Sequence, residues 1–360
     1  MFVLDSHCDT PSQILRLRDM AEDGSHAHVD FPKLRRGKVD GAFFALYIPA
    51  SKDYDPDSAM RYADELLVSV EGVLERYPEY GQLATSVEEA YANKEKGLFS
   101  IFLGLENASP IGEDIKRLKY FYDKGVRYVT LCHSANNSVC DSCAPEVKTW
   151  GGLSPFGKQL VAEMNRIGML IDVSHISDDS FYDVISLSSK PVVATHSCCR
   201  ALSDHPRNLS DDMIKALAEN GGVVQINFYP LFLDVNFRRI LQDSGITERG
   251  EAIENEFIAD PANPRKRAAW NVVQDELRAL ERPSFKLIAD HIDHVVSLVG
   301  VDHVGIGSDF DGIEVTPDGM EDISMMPKIF EELRSRGYSE DDLSKIASEN
   351  FFRVLSAQQS

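Results

Sequence analysis

Side chains of the kinds that bind metals follow several apolar runs of this sequence. In the first run, "VLDSHCDTP", His7 and Asp9 are two residues apart. Successive side chains of a β-strand alternate between its faces, so these two point the same way. Other apolar runs lead to Glu106 in "FLGLEN", His175 in "MLIDVSH" and His196 in "PVVATHS". Imidazoles and carboxylates in this proportion are typical of hydrolytic sites with two metal ions.

Two further residues fit the same pattern. His133 follows the run "VRYVTL", and Asp309 lies in "HVGIGSDFD". Taken singly, each has an ordinary alternative, because a strand-end histidine is often structural and Glu106 or Asp309 can cap a helix. Taken together, the residues recur at the ends of many predicted strands, which favours one shared site.

The elements that must hold these residues form a regular alternation. Eight short apolar runs, rich in β-branched and aromatic residues, are separated by amphipathic segments that begin at Ser or Asp and end at Gly. This pattern predicts an α/β fold, a (β/α)₈ TIM-type barrel, as a single domain over residues 1–360. The alternative is an open doubly wound sheet, but no G-x-G-x-x-G follows the first strand. In a barrel, the carboxyl ends of all strands meet on one face.

One segment interrupts the alternation. Residues 231–283, after the seventh strand, form a charged insertion that contains the helical pattern "RKRAAWNVVQDELRAL". It could serve as a lid or as a contact in a homodimer, and its composition leaves both open. Beyond the eighth strand, residues 320–337 and 339–357 read as two C-terminal helices.

The composition limits the classes of molecule that the protein is expected to bind. The formal net charge is −21, with a pI near 4.8, which disfavours nucleic acid and anionic membranes and favours small molecules or metal cations. Neither a signal peptide nor an apolar run of membrane-spanning length is visible. The six cysteines lack the density of a disulfide framework, so we expect a cytoplasmic protein.

Other histidines and cysteines give weaker signals. His26 and His28 form an H-x-H pair in "DGSHAHVDF", but no strand pattern surrounds them, which favours a solvated loop. Cys140 and Cys143 make a single C-x-x-C in a loop, without the second pair that a zinc site would need.

The motifs "DSHCDTP", "GLEN", "TLCHSANN", "DVSHIS", "ATHSCCRALSDHPRNLSDDMI" and "HVGIGSDFDG" follow one another in this order. The set closely resembles the membrane (renal) dipeptidase family in its soluble microbial form, zinc dipeptidases among the amidohydrolase-like barrels. The resemblance runs from about residue 3 to residue 355. Ala135 stands where the secreted members have a disulfide cysteine, and their secretory signal and lipid-anchor tail are not seen here.

The resemblance implies roles for individual residues. His7 and Asp9 would hold one zinc ion, His175 and His196 the other, and Glu106 together with a hydroxide would bridge the two. Asp309 would be the catalytic acid and base, and His133 would contact the substrate and its developing oxyanion. Arg207, in "HPRN", would bind the substrate carboxylate, and Tyr229, in "NFY", would line the pocket.

These observations predict a zinc dipeptidase with two Zn²⁺ per chain. It would hydrolyse dipeptides, including those with a D-residue at the C-terminal position, by a metal-bridged hydroxide. Another amidohydrolase-type barrel, acting on an N-acyl amino acid, a cyclic amide or a lactone, is the nearest enzyme alternative. A metal-binding protein without catalysis is the alternative of another class, and the presence of Asp309 and of every expected ligand argues against it.

Overall fold

A computed structural model describes residues 1–359. The strands are β1 Leu4–Cys8, β2 Gly41–Tyr47, β3 Gly81–Leu83, β4 Phe99–Glu106, β5 Val126–Thr130, β6 Leu170–Asp172, β7 Val193–Ser197, β8 Val223–Ile226 and β9 Val304–Ile306. Eight of them pair in parallel in the order β1-β2-β4-β5-β6-β7-β8-β9, and β3 pairs with β4 outside this path. A parallel bridge between Cys8 and Phe310 brings the first and last strands together, so the barrel is nearly closed.

The α-helices follow the strands along the chain. They are α1 Thr10–Leu15, α2 Phe31–Arg36, α3 Pro56–Arg76, α4 Val87–Glu95, α5 Ile115–Asp123, α6 Pro155–Ile167, α7 Asp178–Leu187, α8 Asp211–Glu219, α9 Pro230–Leu233, α10 Phe237–Ser244, α11 Ile246–Ala259, α12 Pro264–Arg278, α13 Lys286–Val299, α14 Pro327–Ser335, α15 Glu340–Ser344 and α16 Asn350–Gln359. None of them, within residues 1–359, is long and apolar enough to cross a membrane.

Local chemistry explains the ends of these elements. The side chains of Ser154, Ser177 and Ser210 each accept a backbone N–H in the first turn of α6, α7 and α8, as the sequence predicts. Helix α6 stops at Gly168, whose left-handed backbone (φ 79°) suits glycine, and a Cβ there would lie 2.6 Å from the carbonyl oxygen of Gln358.

The buried hydrophobic residues form three clusters, two in the barrel and a smaller one in the insertion. Every residue of β4 is buried, as expected for a parallel strand covered on both faces. Inside the barrel, Phe43, Phe102 and Tyr128 pack with Phe351 and Phe352 of α16, so the C-terminal helix contributes to the barrel core. The insertion has a separate small cluster, which includes Phe237, Leu241, Ile246, Phe257, Trp270, Val273 and Leu277.

The barrel, the insertion after the seventh predicted strand (β8) and the C-terminal helices confirm the predicted fold. Three details differ. The short strand β3 and helix α4 were missed, because neither carries a long periodic pattern. The insertion contains four helices, α9 to α12, of which only α12 was identified from its own sequence pattern. The second C-terminal helix is divided into α15 and α16 by a π-helical turn at Lys345–Glu349.

Candidate metal centre

The five predicted ligands converge at the carboxyl end of the barrel. The two oxygens of Glu106 face different partners. Oε2 lies 3.5 Å from His7 Nε2, and Oε1 lies 3.1 Å from His175 Nε2 and 3.6 Å from His196 Nε2. Asp9 Oδ2 lies 3.5 Å from His7 Nε2, and the two nitrogens His175 Nε2 and His196 Nε2 are 2.8 Å apart. One carboxylate thus contacts different imidazoles through its two oxygens, an arrangement suited to a pair of cations.

The buried atoms at this position fit a metal. His7 Nε2 and Asp9 Oδ1 have no hydrogen-bond partner within residues 1–359. Leaving such a buried polar atom unsatisfied costs about 1–3 kcal/mol, which a bound cation would offset. Burial holds the pKa of both His175 and His196 well below its usual value, so these imidazoles are neutral, as metal ligands must be.

The pKa of His7 shifts in the opposite direction, above its usual value. Burial by itself would lower its pKa, but the carboxylates of Glu106 and Asp9 raise that pKa well above the usual value. The carboxylates therefore stabilise a positive charge at this position, and they would stabilise a bound metal cation in the same way.

Buried hydroxyl groups orient two of the imidazoles. Tyr128 Oη lies 2.8 Å from His7 Nδ1, which turns Nε2 toward the carboxylates. His196 Nδ1 lies 2.8 Å from Thr195 Oγ1, whose hydroxyl donates to Asp172 over 2.7 Å. Because that hydroxyl proton is committed to Asp172, His196 Nδ1–H is the donor, and the lone pair of the ring lies on Nε2, which faces His175. Such outer contacts fix the tautomer of a metal-binding histidine. No sequence pattern pointed to Tyr128 or Asp172.

Asp309 lies beside this cluster on the loop after β9. Its Oδ1 is 3.9 Å from His7 Nε2, and its Oδ2 accepts a 2.9 Å hydrogen bond from Asn227 Nδ2. Burial, together with the nearby carboxylates of Asp9 and Glu106, raises the pKa of Asp309 to about 8. A carboxyl with that pKa can exchange a proton near neutral pH.

The loop of Asp309 is held by residues that sequence reasoning set aside. Asp311 accepts hydrogen bonds from Thr10 Oγ1 (2.9 Å) and His28 N (3.1 Å) and lies 2.6 Å from Arg18. His28 Nδ1 in turn accepts the backbone N–H of Asp311 over 2.9 Å. The expectation of a solvated loop was wrong for His28, which is buried, whereas His26 bonds to the exposed Asp275 at 3.0 Å.

His133 lies at the open side of the cluster. Its Nε2 is 3.9 Å from Glu106 Oε1, and its ring packs edge-on against Tyr47 with 4.8 Å between centroids. Burial, and next the charge of Arg207, lower the pKa of His133 to about 3. A neutral imidazole here can donate a hydrogen bond into the site without carrying a charge.

Arg207 is buried behind the cluster. Its guanidinium donates to His196 O over 3.0 Å and to Ser197 Oγ over 3.4 Å, both uncharged acceptors, and Nε has no hydrogen-bond partner in the described chain. Its Cζ lies 5.2 Å from the ring centroid of Phe232, and the ring of Tyr229 packs edge-on against that same ring at 5.0 Å. The structure therefore brings Arg207 and Tyr229, two of the three predicted substrate contacts, to one side of the site.

The cysteines lie outside the centre. Three groups of His, Asp and Glu within residues 1–359 could hold a metal, and none contains a cysteine. Cys140 is buried and Cys143 partly exposed, both with free thiols, so the C-x-x-C pair is not part of this centre.

Comparison with known proteins agrees with this geometry. A profile of the family described as membrane dipeptidase (peptidase family M19) matches residues 1–360. Dipeptidase aclJ of Aspergillus oryzae is 33% identical over 350 residues, which cover 96% of this chain and 73% of that protein. Dipeptidase verJ of Clonostachys rogersoniana is 32% identical over 91% of this chain and 75% of that protein.

Solved structures are similar over the whole barrel. The probable dipeptidase PvdM from Pseudomonas aeruginosa has a TM-score of 0.84 and 28% identity, covering 100% of this chain and 96% of that one. A metallopeptidase from Rhodobacter sphaeroides, solved with a phosphinate mimic of L-Ala-D-Ala, has a TM-score of 0.81 and 25% identity, covering 99% of each chain. The chain therefore belongs to the membrane dipeptidase family and is a metallo-dipeptidase.

Proposed function

We propose that the protein is a zinc-dependent dipeptidase that holds two zinc ions per chain and also cleaves dipeptides with a D-residue at the C-terminal position. The observation that carries the proposal is the position of Glu106, whose Oε2 lies nearest His7 and whose Oε1 lies nearest His175 and His196. The mimic of L-Ala-D-Ala bound by the Rhodobacter sphaeroides relative supports the choice of substrate.

The residues divide between two cation positions. His7 and Asp9 would hold one ion, His175 and His196 would hold the other, and Glu106 would contact both. The carboxylates, neutral imidazoles and unsatisfied buried atoms support this assignment. When bound, zinc supplies activation of water at neutral pH and polarisation of the peptide carbonyl.

The remaining residues move protons and hold the substrate. Asp309 accepts a proton from the attacking water at Oδ1, because Oδ2 already accepts a hydrogen bond from Asn227. It then donates that proton to the nitrogen of the leaving amine. His133 donates a hydrogen bond to the oxygen that gains charge as the carbonyl is attacked. Arg207 forms paired hydrogen bonds with the substrate carboxylate, and Tyr229 lines the pocket beside it.

Metal analysis tests the first half of the proposal. We expect two zinc ions per chain in the supplemented protein, and Glu106→Ala should lose both because one side chain serves both positions. The matched control is Glu113→Ala, at an exposed glutamate in the loop that follows the same strand. A single ion in the native protein, or full occupancy in Glu106→Ala, would contradict the assignment.

Substrate panels test the second half. Zinc-loaded protein should hydrolyse L-Ala-L-Ala and L-Ala-D-Ala but not N-acetyl-L-alanine. Hydrolysis of N-acyl amino acids or lactones with no action on dipeptides would favour the other amidohydrolase activity. The cytoplasmic location and the homodimer stay predictions, and cell fractionation and light scattering test them.

A further inference from the structure

A cavity of about 290 Å³ lies between the insertion and the mouth of the barrel. Its wall is largely apolar and comes from three insertion helices: Leu241 of α10, Ile246 of α11, and Trp270, Val273 and Leu277 of α12. The same five residues belong to the small core of the insertion, so the cavity is a gap within a packed layer. Its volume is near the lower limit for small-molecule sites, of roughly 300 Å³, and suits one side chain better than a whole ligand.

Tyr229 connects this cavity to the metal centre. It lines the cavity, and its backbone N–H donates to Asn227 Oδ1 over 2.6 Å. Asn227 in turn donates to Asp309, so one residue separates the cavity wall from the proposed acid and base. The Tyr229 ring also packs against Phe232, the ring that lies against Arg207. Tyr229 therefore forms a wall between the cavity and the side of the centre where the substrate carboxylate would bind.

Carboxylates border this apolar space. Glu251, Glu254 and Glu314 line the cavity beside the hydrophobic residues. Burial raises the pKa of Glu254, and the partly buried Arg16 lies 3.6 Å from its carboxylate. Two of the three glutamates have exposed side chains, so they present negative charge at the rim. An anionic side chain would be repelled at this rim, while an apolar one would lose only water.

We propose that this insertion cavity binds the side chain of the substrate's C-terminal residue and selects bulky apolar residues over acidic ones. The inference rests on the proposed dipeptidase function, because it assigns Tyr229, which lines the cavity, to the substrate pocket beside Arg207. It gives the insertion a role in specificity. The side chain of the N-terminal residue, on the far side of the scissile bond, lies outside this cavity.

Filling the cavity tests the proposal. Val273→Phe should lower kcat/KM for L-Ala-Leu, with L- or D-Leu, by roughly 10- to 100-fold, the factor that burial of one leucine side chain provides. L-Ala-Gly and L-Leu-Gly, which place no side chain in the cavity, should change little. The matched control is Val272→Phe, at the neighbouring position of α12, where the side chain is 55% exposed. Native protein should also prefer L-Ala-Leu to L-Ala-Asp.

A binding measurement covers the case in which Val273→Phe fails to fold. The chain has two tryptophans, Trp150 and Trp270, and only Trp270 lines the cavity. In a Trp150→Phe protein, a phosphinate mimic of L-Ala-Leu should change the tryptophan fluorescence, and a mimic of L-Ala-Gly should not.

The outcomes separate the two proposals. Equal fluorescence responses to both mimics, or equal effects of Val273→Phe on leucine and glycine substrates, would overturn the cavity assignment while dipeptidase activity persisted. A native protein that cleaves no dipeptide would instead overturn the proposed function.

Discussion

Replacement of Arg207 by alanine should weaken binding of the substrate carboxylate. The guanidinium donates only to uncharged acceptors, His196 O and Ser197 Oγ, so its positive charge is available to an anionic ligand. A hydrogen bond to a charged group contributes about 1.5–3 kcal/mol. With a tenfold change for every 1.4 kcal/mol, roughly a 10- to 150-fold loss of kcat/KM for dipeptides follows.

The assay compares free dipeptides with dipeptide amides. Amides lack the negative charge, so they should be poor substrates of the native enzyme and lose little more in Arg207→Ala. The matched control is Arg166→Ala on α6, because Arg166 is exposed and pairs with Glu163 of the same helix at 2.6 and 2.7 Å, so its loss should matter little. Equal losses for acids and amides, or no loss for either, would refute carboxylate recognition by Arg207.

Three further substitutions test neighbouring parts of the site. Asp309→Asn should retain its metal and lose roughly 10²- to 10⁴-fold in kcat, because the amide cannot carry the proton; near-normal turnover would show that Asp309 is structural. Tyr128→Phe removes the hydroxyl that orients His7 and should weaken metal binding by about 10- to 100-fold, measured by chelator competition; unchanged affinity would contradict that role. Gly312→Ala adds a Cβ that collides with the Asp9 carboxylate and lies 2.8 Å from Asp309 Oδ1, so metal content and turnover should both fall. Native values for both would show that this loop can shift freely.

The sequence predicts the barrel and the convergence of the candidate ligands, because both depend on local patterns. Apolar strand runs alternate with capped helices, and a parallel barrel brings every strand's carboxyl end to the same face. Residues such as His7, Glu106 and His196 therefore had to meet once the strands were identified. Strand β3 escaped detection because it has only three residues, and helix α4 because its nine residues lack the amphipathic pattern that α5 and α8 show over the same length.

The order of the strands, and the face on which the candidate site residues gather, follow from the sequence alone. The distant residues that support them are known only from the three-dimensional packing. His28 and Asp311 are 283 positions apart, yet they bond to each other and hold the loop of Asp309. The contact of Tyr128 with His7 and the cavity behind Tyr229 likewise join elements far apart in the chain. Such contacts depend on side-chain direction and packing in three dimensions, for which linear spacing carries no signal.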